Sequence, residues 1–192
     1  MKKLFLLIVF AAGIATSGYS QFIKKGTILG GGGFEYRSHK DGDTDDKTSS
    51  VSLSPWAGYL VVDNFVAGAL LSMGSLTQKN SASNFKSTRT DILFGPVARY
   101  YMDNGLFAHG QFAFGSGKSK TESGGSTFEN KSSISELKLG AGYAVRISDT
   151  VLFEPIAGFL SEGSKDKTSN VKSTESGFFV MASLTVFFRS TN

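Results

Sequence analysis

Between Glu136 and Val145 the sequence alternates with a period of two, and no other feature restricts the fold as strongly. Leu137, Leu139, Ala141, Tyr143 and Val145 form one phase; Glu136, Lys138, Gly140, Gly142 and Ala144, charged or nearly bare, form the other. A helix gathers residues three and four apart on one face, so it would mix these two sets; an extended strand separates them. The same period recurs along the chain. Near the end, Phe178, Val180, Ala182, Leu184, Val186 and Phe188 alternate with Phe179, Met181, Ser183, Thr185 and Phe187. Further runs are Ile92, Phe94, Pro96, Ala98 and Tyr100; Leu106, Ala108, Gly110, Phe112 and Phe114; Val51, Leu53, Pro55, Ala57 and Tyr59; and Val151, Phe153, Pro155, Ala157 and Phe159. Two runs are weaker: Gly30 to Gly33 blank out the first, and Val66 to Leu71 is apolar in both phases.

Two kinds of connection separate the runs. Asp63-Asn64, Asp103-Asn104-Gly105 and Ser148-Asp149 are short and rich in residues that tolerate positive φ. They stand 40 and 45 residues apart. Between them lie long segments of Ser, Thr, Lys, Asp, Glu, Asn and Gly: Arg37 to Ser50, Thr77 to Arg89, Ser116 to Ser133 and Ser161 to Ser176. Strand, long connection, strand, short turn gives eight strands with both ends on the short-turn side. An even strand number with asymmetric connections predicts an all-β, eight-stranded, antiparallel up-and-down transmembrane β-barrel with three short periplasmic turns and four long polar extracellular loops.

The first twenty residues are read as a signal peptide: Lys2 and Lys3, an apolar stretch from Leu4 to Ala12, and small residues before Gln21. The barrel domain is then 21–192, and the export signal directs it to the outer membrane of a Gram-negative bacterium. Removing that segment reduces the formal charge from +4 to +2, because Lys2 and Lys3 go with it. No basic stripe remains to bind nucleic acid. No apolar stretch of about 18 residues follows, so any membrane crossing is by strands. The absence of cysteine excludes disulfides, thiolate metal sites, a cysteine nucleophile and a lipidated cysteine anchor.

Periodicity alone does not say which phase faces out, and a soluble lipocalin-type barrel would point its apolar phase inward. The other phase, where Glu35, Arg99, Glu136, Lys138, Arg146 and Glu154 recur among glycines, and above all the three minimal against four long connections favour the membrane barrel, and aromatic placement agrees. Tyr59, Phe65, Tyr100, Phe107, Tyr143, Phe153 and Phe188 lie near the short turns; Phe34, Tyr36, Phe94, Phe112, Phe114, Phe159 and Phe178 lie near the long segments. These are two girdles flanking small aliphatics, the pattern of a lipid-facing surface.

The run SPWAGYLVVDN, with Pro55, Gly58, Tyr59, Leu60, Asp63 and Asn64, resembles the strand-and-turn signature of small outer-membrane β-barrels common in the Bacteroidetes. FGPVARYYM and FEPIAGF echo it. The resemblance spans the chain after residue 20 and implies an architecture similar to eight-stranded barrels of the OmpX and OmpA transmembrane type. These motifs report hairpin geometry, not chemistry. One departure is visible: such barrels often end on an aromatic read by the assembly machinery, whereas Phe188 is followed by Arg189, Ser190, Thr191 and Asn192.

Eight strands leave an interior just wide enough for side chains. Glu35, Arg99, His109, Gln111, Glu136, Lys138, Arg146 and Glu154 are expected to form an interior network of ion pairs and hydrogen bonds, because charges removed from water need partners. Leu93, Leu152, Ile156, Leu160, Phe179 and Phe187 should fill the rest. Pro55, Pro96 and Pro155 fall inside strands, where each removes a ladder donor; they mark bulges or kinks, or else those strands begin later.

The search for chemistry is mostly negative. Catalytic barrels need Ser, His and an acid together; only His39 and His109 exist, one among loop lysines and aspartates and one pointing inward. Gly117-Lys118-Ser119 imitates the end of a phosphate-binding loop, but Phe112 replaces its first glycine. Gly30 to Gly33 lacks the helix of a dinucleotide fingerprint. Asp41, Asp43, Asp45 and Asp46 approach a calcium loop, yet position six is Asp46, not Gly, and position twelve is Ser52, not Glu. No enzyme, cofactor or metal is therefore expected. Two functions fit: a structural or surface-interaction barrel acting in envelope integrity, adhesion or stress resistance through its exposed loops, or a narrow pore passing small, even apolar, molecules. Expected partners are the lipid bilayer and lipopolysaccharide, the outer-membrane assembly machinery during biogenesis, and an extracellular ligand of the loops.

Overall fold

The computed structural model describes residues 25–40, 46–80, 85–167 and 170–188, with backbone only at 37–40 and 46. Residues 1–24, 41–45, 81–84, 168–169 and 189–192 lie outside the described residues, and with them the segment read as a signal peptide and Asp41, Asp43 and Asp45. Eight long strands follow in order: β1 (Ile28–Lys40), β2 (Asp46–Val62), β3 (Phe65–Asn80), β4 (Phe85–Tyr101), β5 (Leu106–Ser123), β6 (Ser126–Tyr143), β7 (Val151–Asp166) and β8 (Lys172–Phe188). The two-residue segment Val145–Arg146 continues β6. Each strand pairs antiparallel with its sequence neighbours, and β1 pairs with β8 from Ile28↔Phe188 to Phe34↔Ala182, which closes the ring. Closure pairs the seam only from Ile28 to Phe34 against Ala182 to Phe188, the part nearest the short turns; beyond it, β1 from Glu35 and β8 up to Met181 run on without pairing to each other.

The short turns behave as their residues demand. Asn64 has φ 67° and Gly105 φ 85°, left-handed conformations that Asn and Gly adopt at little cost. The long polar segments differ from the expected loops. Much of each is strand: β5 and β6 continue to Ser123↔Ser126 and meet across Gly124-Gly125, both at positive φ, so Ser116 to Ser133 is a hairpin with a two-residue turn. With 13 to 18 residues, the strands exceed the roughly 9–11 that cross a bilayer, and the surplus is polar.

None of the three prolines shifts the register. The β2–β3 pairing passes from Leu53↔Met73 to Trp56↔Leu70 in unchanged register, skipping Pro55. The β4–β5 pairing likewise passes from Phe94↔Phe114 to Val97↔Gln111 around Pro96, and Gly142↔Ile156 resumes at Val145↔Phe153 around Pro155. On its other side each proline stays paired, with Gly32, Ala69 and Ala182 respectively. An antiparallel residue directs both amide groups at one neighbour, so a proline deletes a pairing there and leaves the other ladder intact. The prolines are therefore neither bulges nor late strand starts. The gap opposite Pro155 is what separates Val145–Arg146 from β6. A register shift does occur at Leu60/Val62.

The interior phase holds the core: Leu29, Trp56, Leu60, Val66, Leu70, Leu93, Val97, Tyr101, Phe107, Ile134, Ile156 and Phe179, with Leu160, Met181 and Phe187 packed against it. Leu152 is buried as well. Small residues opposite large ones make this fit. A Cβ on Gly142 would come within 2.4 Å of the Phe107 ring, and one on Gly31 within 2.5 Å of Trp56 Nε1.

Candidate functional site

Arg99 on β4 enters the lumen as the largest fully buried side chain, 2% exposed. Its guanidinium ion-pairs with Glu154 on β7 across the barrel, and Glu154 also accepts hydrogen bonds from the hydroxyls of Tyr101, at 2.7 Å, and Thr185. Three donors on one carboxylate offset its removal from water. The guanidinium lies 4.1 Å from the centroid of the Trp56 ring and 5.4 Å from that of Phe107, so its faces meet π-systems as well.

A second set lies on the neighbouring wall. His109 Nε2 is 3.3 Å from Gln111 Oε1, the Gln111 amide donates to Glu136 at 2.9 Å, and Lys138 pairs with Glu136 at 3.0 Å. Lys138 Nζ also sits 5.9 Å from the Phe179 ring centroid. His109 and Arg99 are directly opposite in the β4–β5 register. A third set lies toward the polar end, where Arg89 on β4 bonds Asp91, at 3.0 Å, and Glu162 on β7. Two Arg–Glu contacts thus span the lumen between β4 and β7.

Six of the eight expected interior residues, namely Arg99, His109, Gln111, Glu136, Lys138 and Glu154, fall into the first two sets. Glu35 takes an inward position on β1, half-buried and opposite Ser52. Arg146 does not join them. It binds the carbonyl oxygens of Ser148 and Asp149 at 3.1 Å each and the Asp149 carboxylate at 3.2 Å, capping the third short turn. Its position beyond the pairing gap at Pro155 brings it to the rim, where the nearest acceptors are those of the turn.

No protein-family model matches the sequence, and no curated protein does. Among solved structures, the β-domain of the Bordetella autotransporter BrkA is similar over 84% of this chain and 70% of its own, at 13% identity and TM-score 0.53. The translocator domain of the autotransporter NalP from Neisseria meningitidis matches over 95% and 69%, at 14% identity and TM-score 0.50. The Neisserial surface protein NspA matches over 85% and 98%, at 18% identity and TM-score 0.44. The fold is that of an outer-membrane β-barrel.

On this barrel the outward phase carries the aromatics. Tyr59, Tyr100, Phe153 and Phe188 are exposed toward the short turns; Phe34, Tyr36, Phe94, Phe112, Phe114, Phe159 and Phe178 are exposed toward the polar end. Phe65 and Tyr143 are half-buried. Phe107 departs from its expected place: it has the inward parity of His109 and Gln111 and is 1% exposed, packed at 5.1 Å on Tyr101.

Sequence reasoning missed Arg89 and Glu162 because their segments read as loops, and it left Asp91, on the inward phase of its strand, out of the network. It missed Tyr101 and Thr185 because neither carries a charge. Parity held the signal for all five, since each continues the inward phase of its strand. Among the described residues no cluster of three His, Asp or Glu is placed to hold a metal ion. Asp41, Asp43 and Asp45 lie outside the described residues, as do the side chains of Asp46 and His39.

Proposed function

We propose that this is an integral barrel of a Gram-negative outer membrane, of the small Bacteroidetes type that the SPWAGYLVVDN run resembles. Its role on this reading is structural or surface-interacting: it supports the envelope and presents polar hairpins outside, with no catalysis. The observation that carries the reading is the Arg99–Glu154 contact between opposite walls, packed among Trp56, Tyr101 and Phe107. A lumen tied and filled at that level opposes conduction. His109 is engaged by Gln111, not by a serine or a carboxylate, which supports the non-catalytic reading. An unknown extracellular ligand would meet the hairpins, and insertion would depend on the outer-membrane assembly machinery.

Planar-bilayer recording tests the closed lumen. We expect no steady conductance from the refolded protein, and ohmic channels would overturn the structural reading in favour of a narrow pore for small molecules. An SDS gel with and without boiling tests the membrane barrel itself. The unheated protein should migrate anomalously; identical migration would count against it.

A further inference from the structure

Above the outer aromatic girdle, the outward phase changes composition twice. First come hydroxyls: Ser75 and Thr77 on β3, Thr88 and Thr90 on β4, Ser161 on β7 and Ser176 on β8. Beyond them come lysines, and strand register sets these side by side. Lys47, Lys79 and Lys86 are directly opposite one another on β2, β3 and β4. Lys118 faces Lys131 across β5 and β6, and Lys165 faces Lys172 across β7 and β8. All seven are exposed. Among the described residues, carboxylates at this end mostly take the inward phase, as Asp91, Glu162 and Glu175 do by parity. The outward exceptions among them, Glu122 and Glu129, lie on the β5–β6 hairpin and pair with Lys120 and Lys118, and Glu122 is also directly opposite Lys86.

Like charges directly opposite on a sheet are destabilising. The Lys47–Lys79 and Lys165–Lys172 pairings, with no described carboxylate directly opposite on the outward face, are therefore a cost to the isolated chain, and an external polyanion would offset it. Height identifies that polyanion. Lys79 stands six residues past Met73, the last outward apolar residue of β3. At about 3.4 Å per residue and a tilt near 40°, this is roughly 15 Å above the apolar edge. A phospholipid headgroup layer is only about 5–8 Å deep on each side, below the row even when lysine stems bend downward. A glycolipid headgroup of several sugars fills that depth, its hydroxyls level with the Ser/Thr tier and its acidic groups level with the lysines.

We propose that the lysine collar docks the anionic sugar headgroup of an outer-leaflet glycolipid, phosphorylated or carboxylated at the level of its core sugars. The inference rests on the membrane placement proposed above.

The test uses the full barrel in zwitterionic detergent, titrated with purified rough lipopolysaccharide that bears a phosphorylated core, with bound lipid counted by native mass spectrometry. Lys47→Gln/Lys79→Gln/Lys86→Gln should weaken binding on the order of 100-fold at low salt, from roughly fivefold per lysine near an anionic surface. Phosphatidylglycerol should bind wild type and variant alike, and millimolar inorganic phosphate should not displace the glycolipid. The triple variant should unfold close to wild type without glycolipid, because relief of the Lys47–Lys79–Lys86 repulsion is set against loss of the Lys86–Glu122 neighbour. Lys165→Gln/Lys172→Gln, on the other side, provides a second variant should the first fail to fold. Equal glycolipid affinity in wild type and variant, equal discrimination by phosphatidylglycerol, or displacement by phosphate would each overturn the proposal. A wild type that neither shifts on heating nor inserts into liposomes refutes the membrane placement; one that inserts but ignores the glycolipid refutes only the collar.

Discussion

Replacing Arg99 by Met tests whether the lumen is held by paired charge. Arg99 and Glu154 are both fully buried, and their contact joins walls 55 residues apart in sequence. Removing one partner of such a pair costs about 3–5 kcal/mol, because the other charge stays buried. Losing the guanidinium from the Trp56 face, 4.1 Å away, adds about 1–2 kcal/mol. Glu154→Leu should cost a similar 3–5 kcal/mol by stranding Arg99. The double variant removes both charges and leaves only the Tyr101 and Thr185 hydroxyls without their acceptor, at about 1–3 kcal/mol each. Its loss should therefore fall well short of the sum of the single losses, by about 3 kcal/mol or more. Urea titration in liposomes supplies the midpoints, followed both by the unheated gel band and by fluorescence of Trp56, the sole tryptophan. Additivity within about 0.5 kcal/mol, or single losses below about 1 kcal/mol, would refute the argument that these charges are coupled.

Gly142→Ala should destabilise the barrel by about 1–3 kcal/mol, since its Cβ meets the Phe107 ring at 2.4 Å, whereas Gly110→Ala faces outward with its nearest contact at 3.6 Å and should be almost neutral; parallel unfolding curves compare them. The chain has no cysteine, so single labels report one site each: a spin label at Leu139, 52% exposed, should respond to lipid-soluble relaxation agents, and one at Lys138, whose side chain is 14% exposed, should not. Equal responses would reverse the phase assignment. At the β5–β6 hairpin, Lys118 holds the Glu129 carboxyl below its ordinary range and Lys120 does the same for Glu122. A depressed carboxyl contributes stability above its unfolded pKa and loses it as pH falls through the folded one, so amide protection at the hairpin tip should drop on acidification. Carbon NMR should show Glu129 titrating higher in Lys118→Gln, and an unchanged titration would exclude the pair.

Much of the fold was legible in the chain because both of its signals are local. A period of two is written in adjacent residues, so Leu137 to Val145 declares a strand and its two faces without a partner. Asn64 and Gly105 declare turns because few other residues accept their backbone angles. From these the strand count, the outward aromatics and most of the buried polar residues follow. The prolines were opaque because a missing donor affects whichever ladder it faces, and sequence does not state the register.

What only the tertiary structure decided is which distant residues share a height. Arg89 meets Glu162 from 73 positions away, and both looked like loop residues until the strands were seen to run past the membrane band. Arg146 had the right parity and charge for the network but lies beyond the gap at Pro155, among turn carbonyls. Lys47, Lys79 and Lys86 are scattered through polar segments of a nearly neutral chain, and composition showed no basic patch. Register aligned them on one face and turned most of the described acids to the other, because in a closed sheet the pairing of neighbours fixes the height of every side chain around the ring.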